Sequence, residues 1–92
     1  MVMGFALVKA APGHELSVRS DLQRLTGVEE VYQLFGEFSF FLVMVAEARI
    51  ELIQLMEAIK EMDLVSGTGP LMQAMDGGLG TWKIIYPGIS AK

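Results

Sequence analysis

Two strand-like runs, 28–35 and 38–46, meet at a tight Gly36-Glu37 turn. The second run is apolar at every position except Ser39. Because successive side chains of a strand point to opposite faces of its sheet, this run presents apolar side chains on both faces. The short glycine-containing link predicts that the two runs pair as an antiparallel hairpin.

Two helices are predicted from stripes of apolar residues. Over 14–25, Val18, Leu22 and Leu25 lie at i, i+4 and i+7, which is one face of a helix. Over 48–62 the stripe has the spacing i, i+3, i+4 and i+7, and polar residues occupy the remaining positions. Its members are Leu52, Leu55, Met56 and Ile59.

Three further strands complete the predicted elements. Residues 2–10 predict a first strand, 66–75 a fourth and 81–86 a short last one. Pro70 interrupts the fourth strand, and because proline cannot donate a ladder hydrogen bond it indicates a sheet edge or a bulge.

The resulting order predicts an α+β fold, the ferredoxin-like βαββαβ arrangement with a C-terminal strand. A chain of 92 residues forms one domain, with its core in 2–75 and the extension in 81–86. Right-handed crossovers place both helices on one face of a four-stranded antiparallel sheet. The other face carries about four large apolar side chains of the third strand, whose burial is worth ~6–12 kcal/mol. We therefore expect a homodimer, of the dimeric α+β barrel type, that hides this face.

The C-terminal strand offers a way to strengthen such a dimer. Trp82 and Tyr86 share one face of it by the two-residue period of a strand. We expect this strand to extend across the two-fold axis and to cap the partner's sheet.

Composition narrows the function. The net charge is −4 and the seven Lys and Arg are scattered, which excludes direct nucleic-acid binding. Cysteine is absent and His14 is the only histidine, so neither a thiolate nor a histidine-rich metal site is expected, and no pattern indicates a cofactor. With no signal peptide pattern and no apolar run long enough for a membrane helix, we expect a cytoplasmic protein without membrane contact.

Three segments, in this order and spacing, resemble the effector-binding (RAM) domain of the Lrp/AsnC family. They are Val8-Lys9-Ala10-Ala11-Pro12-Gly13, Thr26-Gly27-Val28-Glu29-Glu30-Val31-Tyr32 and Phe35-Gly36-Glu37-Phe38-Ser39-Phe40. Members of the family usually carry an N-terminal helix-turn-helix, which has no counterpart here. The chain thus resembles a stand-alone form.

The resemblance implies a dimer packed through its sheets, further assembly of dimers into rings, and a pocket for an amino-acid-like ligand between dimers. Carried over to this chain, the effector-binding residues are Gly36, Glu37 and Ser39 of the turn and Thr68 of the fourth strand. Ser39 stands where the family usually has Asp. Since a hydroxyl forms a weaker hydrogen bond with an ammonium than a carboxylate does, the ligand binds weakly or differs from an ordinary amino acid.

The first function predicted is therefore an oligomeric regulatory domain that binds a small effector. It would act on transcription or metabolism indirectly, through a partner such as a DNA-binding member of the family. Two alternatives remain. One is a dimeric α+β-barrel enzyme, for which His14, Tyr32 and Tyr86 are the available groups, although none has a convincing partner and we assign no catalytic residue. The other is an oligomerisation module without a ligand.

Overall fold

A computed structural model describes residues 1–74, 82–86 and 90–91, and its elements follow the predicted order. The helices are α1 (Glu15–Arg24) and α2 (Arg49–Lys60). The strands are β1 (Val2–Ala10), β2 (Val28–Gln33), β3 (Phe40–Ala46), β4 (Val65–Thr68), β5 (Leu71–Ala74), β6 (Trp82–Tyr86) and β7 (Ser90–Ala91).

The strands form one antiparallel sheet in the order β2-β3-β1-β4-β7, while β5 pairs with β1 and β6. Together β4 and β5 occupy the place of the predicted fourth strand, and β6 and β7 extend the sheet at their outer edge. The α+β class and the ferredoxin-like arrangement are thereby confirmed. The described sheet contains seven strands instead of the four and one extension expected, because the fourth strand is divided into β4 and β5 and because β7 pairs with β4 in addition to β6 with β5.

The predicted single strand over 66–75 is divided at Gly69-Pro70. β4 pairs with the end of β1, with a bulge between Lys9 and Ala10, whereas β5 pairs with Gly4 and Phe5. Proline cannot donate to the ladder, so the break falls where Pro70 predicted an irregularity.

The β2–β3 hairpin is centred where the sequence predicted, but its strands are shorter. They pair as far as Gln33 opposite Phe40, and the Leu34 amide donates to the Ser39 carbonyl oxygen at 2.8 Å. The turn thus occupies four residues, 35–38, rather than two. Gly36 has a φ of 133°, a conformation that other residues rarely adopt.

The hydrophobic core lies between one face of the sheet and the two helices. Alternate residues of β1 and β3, such as Ala6, Val8 and Leu42, are fully buried there. From the helices the buried side chains are Val18 and Leu22 of α1 and Leu52, Met56 and Ile59 of α2. These are members of the two predicted stripes.

The C-terminal strand belongs to the sheet of its own chain. β6 pairs with β5 of its own chain, with Gln73 opposite Lys83 and Ala74 opposite Trp82. Its backbone therefore extends the chain's own sheet, and its contact with a partner's sheet stays a prediction. The Trp82 and Tyr86 side chains, on which that expectation rested, lie outside the described part of the chain.

Candidate functional site

The sheet face that neither helix covers is a continuous apolar surface, called here the open face. In β1 and β3 it consists of the residues that alternate with the core positions. The residues that stand opposite these on β2 and β5, and opposite the β5 member on β6, complete it. Its members are Met3, Phe5, Leu7 and Lys9 of β1, Glu30 and Tyr32 of β2, Phe41, Val43 and Val45 of β3, Met72 of β5 and Ile84 of β6. Side chains at its border remain well exposed, 51% for Tyr32 and 54% for Ile84.

Three aromatic rings give the open face a flat centre. The Phe5 and Phe41 rings stack with centroids 5.8 Å apart and planes 16° apart. The Tyr32 ring lies 6.4 Å from that of Phe41 and is tilted by 35°. Packed rings of this kind hold one another in place, so the surface is preformed in the single chain.

Ser39, a predicted ligand residue, has its hydroxyl in use within the protein. Its Oγ accepts a hydrogen bond from the Ala10 amide at 2.9 Å, and its own amide donates to the Val8 carbonyl oxygen at 2.9 Å. These bonds join the end of the hairpin to β1 beside the Lys9–Ala10 bulge. The hydroxyl hydrogen is the part of the side chain left to offer a ligand.

Thr68, the second predicted hydroxyl, is only 1% exposed and stands directly opposite Val8 in the sheet. Because Val8 belongs to the core, Thr68 lies on the helix-covered face. Its Oγ1 has no hydrogen-bond partner among the residues that the structure describes. A buried hydroxyl without a partner is unfavourable, so this atom lowers the stability of the protomer as it stands.

Gly36 and Glu37 lie at the exposed tip of the hairpin. No atom lies within 4 Å of the position that a Cβ would take at Gly36, so there is free space at the turn. The neighbouring Phe35 is 93% exposed. The tip is thus an apolar, accessible projection with one carboxylate beside it.

The hairpin turn and the β4–β5 break contact each other across the end of β1. A Cβ at Gly69 would lie 3.2 Å from Leu7 Cβ and 3.6 Å from Phe38 Cζ. The Phe38 ring therefore reaches from the turn to the residue that follows Thr68. The structure brings the two predicted segments together, although the Ser39 and Thr68 hydroxyls themselves lie on opposite sides of Val8.

Two polar residues near this contact were not predicted as site residues. Lys9 is the exposed residue between buried Val8 and Ala10, and the Ser66 hydroxyl donates to the Lys9 carbonyl oxygen at 3.2 Å. The sequence did carry a signal for Lys9, because it is the only charged residue in the first strand.

A shallow cavity of about 460 Å³ lies elsewhere, beside the start of α2. Gly27, Leu55 and three acidic residues, Glu29, Glu47 and Glu51, are part of its lining. Glu51 Oε1 accepts hydrogen bonds from the Glu47 amide at 2.7 Å and the Ala48 amide at 3.2 Å. Its carboxylate thus caps the helix. None of the four predicted site residues lines this cavity.

Within the described ranges, no three His, Asp or Glu side chains are grouped so that they could hold a metal ion. No helix there combines the length and the apolar composition needed to cross a bilayer. Of the groups considered for catalysis, His14 lies exposed at the start of α1 and Tyr32 on the open face, while the Tyr86 side chain is outside the described part.

Solved structures with the same architecture were found by comparison. FFRP-DM1 has 29% sequence identity and a TM-score of 0.75, and the match covers 82% of this chain and all of that one. A hypothetical protein, PHS023 from Pyrococcus horikoshii, also has 29% identity, with a TM-score of 0.72 over 82% of this chain and 90% of its own. The chain shares the fold of FFRP-DM1. That protein is of the Lrp/AsnC type, in agreement with the resemblance of the three sequence segments.

A more distant structure, TTHA0845 from Thermus thermophilus, has 19% identity and a TM-score of 0.75 over 85% of this chain and 98% of its own. It supports the fold alone. No protein-family model and no curated protein sequence matches the chain.

Proposed function

We propose that this protein is an oligomeric regulatory domain that binds a small amino-acid-like effector and passes its state to a partner through changes in assembly. The observation that carries the proposal is the open face, an apolar sheet surface in a chain that shares its fold and 29% of its sequence with an Lrp/AsnC-type protein. The same fold hosts many functions, so the proposal depends on this surface and on the residues at its border.

The open face has the size of an apolar patch that is often functional. It spans five strand positions and three rows of side chains, which corresponds to roughly 20 by 20 Å, or about 400 Å². The largest apolar patch of a typical monomer is about 300–600 Å² and is often functional. A second copy packed face to face would bury the open face. A standard interface buries ~800 Å² on each partner, so residues at the border of the open face would contribute the remaining area.

The effector site is proposed at the border of the open face, where the hairpin turn meets the β4–β5 break. Gly36, Glu37 and Ser39 remain the proposed side-chain and backbone ligands, and Thr68, whose side chain is buried on the helix-covered face, is proposed to contribute only through the position of its backbone. The contact of Phe38 with Gly69 supports this location, because it couples the turn to the fourth strand across β1. A ligand held there would favour the assembly that completes its site.

Any action on transcription is proposed to be indirect. The net charge of −4 opposes binding to the phosphate backbone. A DNA-binding member of the same family is the partner class that fits, because related sheets of this kind can pack against one another.

The test is sedimentation velocity and thermal unfolding, each with and without the common amino acids. We expect a mass of at least twice the 10.1 kDa protomer. A ligand at one hundred times its Kd should stabilise the protein by about 2.7 kcal/mol, a rise in Tm of roughly 10–20 °C for a chain of this size. A well-folded monomer at micromolar concentration would refute the proposal.

A ligand-free oligomerisation module is the second candidate, and the engaged Ser39 hydroxyl favours it. It predicts the same oligomer but no change in Tm or in mass with any compound of the panel.

A further inference from the structure

Two charged side chains interrupt the open face, and they have opposite signs. Among the described residues of that surface only Lys9 of β1 and Glu30 of β2 are charged, and both are exposed. Lys9 alternates with Val8 and Ala10, which are buried in the core, so its side chain leaves the sheet on the uncovered side. Glu30 stands directly opposite Val43 and lies on the same side. A partner that covers this face has to accommodate both charges, because a buried charge without a counterion is unfavourable.

Lys9 and Glu30 are too far apart to neutralise each other within one protomer. Glu30 shares a cross-strand row with Val43 and Phe5, and Lys9 lies four residues along β1 from Phe5. Two steps between strands and four residues along a strand separate the two Cα atoms by ~16 Å, which is more than the two side chains can span. Neither residue belongs to an ion pair found among the described residues.

A two-fold axis between two open faces can bring these charges together. In such an interface, if residue i contacts residue j of the partner, then j also contacts i of the partner. For Lys9 to meet Glu30 of the partner subunit, the axis has to cross the midpoint between these two positions. That midpoint is Phe41, because β3 lies between β1 and β2 and because the row of Phe41, Leu7 and Tyr32 lies halfway between the other two.

The axis defined in this way follows the apolar centre of the open face. A line through Phe41, perpendicular to the direction from Lys9 to Glu30, passes between Leu7 and Phe5 of β1 and reaches Met72 of β5. Phe41 and Met72 would each lie beside their own copies in the partner. The strands of the two sheets would cross at about 70°, which is close to the orthogonal class of sheet packing. Pairing of the charges is therefore compatible with burial of the apolar side chains.

We propose that Lys9 of each protomer pairs with Glu30 of the partner subunit, so that two symmetric ion pairs flank an apolar centre and fix how the open faces dock. This inference rests on the proposed function, because it takes a second copy of this chain as the cover of the open face and gives its orientation. Complementary charges at an interface contribute to register and to the choice of partner more than to affinity. A related sheet could replace the second copy only if it presented an acid and a base at the same two places.

Charge reversal tests the pairing. Lys9→Glu and Glu30→Lys are made separately, combined in one chain, and mixed as two chains. Each single variant has like charges at both contacts of its homodimer, whereas the double variant and the mixture have opposite charges at both. Lys83→Glu and Glu61→Lys are the matched controls. Lys83 opposes the buried Gln73 and so lies on the helix-covered side, and Glu61 is exposed at the end of α2.

Dimer dissociation constants are measured by sedimentation, with circular dichroism as the check on folding and a mass tag on one chain of the mixture. We expect each single reversal to weaken the homodimer by about tenfold or more, because like charges then face each other twice. The double variant and the mixed heterodimer should regain nearly the wild-type affinity, and the two controls should dimerise as the wild type does.

The outcomes separate this inference from the proposed function. A wild-type dimer that either reversal leaves intact, or single variants that do not recover on mixing, overturn the ion pair and leave the proposed function in place. A wild-type chain that stays a folded monomer refutes both. If a reversal unfolds the chain, Lys9→Met and Glu30→Gln replace it in a double-mutant cycle, and the absence of coupling between them in dimerisation overturns the inference.

Discussion

Replacing Met72 by Glu tests whether a second copy covers the open face. Met72 is half-buried in the protomer and stands between Phe5 of β1 and Ile84 of β6, so it lies inside the apolar surface. Glu has nearly the length of Met, and in a single protomer the new carboxylate would point to water. We therefore expect the protomer to keep its fold, with a cost of no more than ~1 kcal/mol, the span of strand propensities.

The dimer should respond far more strongly. Burial of the part of Met72 that is still exposed contributes up to about 1 kcal/mol per copy, and a buried carboxylate without a partner costs at least ~2 kcal/mol after relaxation. A two-fold axis doubles both effects, which gives about 6 kcal/mol for the dimer. Since each 1.4 kcal/mol is about a factor of ten in Kd, the dimer should weaken by roughly 10⁴-fold.

Sedimentation velocity at micromolar concentration measures this change, and circular dichroism reports whether the fold is kept. Two controls accompany the variant. Gln54→Glu adds the same charge on the exposed side of α2, and Met72→Leu keeps the apolar surface. Both should sediment as the wild type does. The reasoning is refuted if Met72→Glu keeps the mass of the wild-type oligomer, or if Gln54→Glu dissociates equally.

Two further substitutions concern the predicted hydroxyls. Thr68→Val removes the buried Oγ1 without a change in shape, so stability in urea should be equal or higher by about 1 kcal/mol; a clear loss would mean that the hydroxyl has a partner. Ser39→Ala leaves the Ala10 amide without its acceptor and should lower the free energy of unfolding by about 1–3 kcal/mol. Ser20→Ala, exposed on α1, should cause no loss, and equal effects at both serines would contradict the role given to Ser39.

The architecture could be predicted because its determinants are local in sequence. The period of the α2 stripe placed Leu52, Met56 and Ile59 on one side of a helix, and all three are fully buried. In β3 the alternation of Phe40 and Leu42 with Phe41 produced the two faces that the uninterrupted apolar run implied. Such periods depend on the geometry of one element and not on its neighbours.

The shape of the fourth strand and the pairing of the last one could not be predicted in the same way. Pro70 indicated an irregularity, but the choice between a bulge and a complete break depends on how closely Gly69 approaches Leu7 of β1. The pairing of β6 with β5 likewise depended on which edge of the folded sheet was unpaired. Both are contacts between residues distant in sequence, and no local pattern encodes them.

Whether the Ser39 and Thr68 hydroxyls have hydrogen-bond partners within the protein could not be predicted from the sequence either. Ser39 was predicted to be a ligand residue because it is polar in an apolar strand. The same property is expected of a side chain that accepts a hydrogen bond from a backbone amide of a neighbouring strand. The neighbour is Ala10, 29 residues away, whose amide faces Ser39 beside the bulge in β1. That bulge arises from the pairing of β1 with β4, so the role of Ser39 depends on three strands at once. The sequence did show that Lys9 is the one charged residue in an apolar strand. Its position beside Gly67 and Gly69 depends on the pairing of β1 with β4, which the sequence did not show.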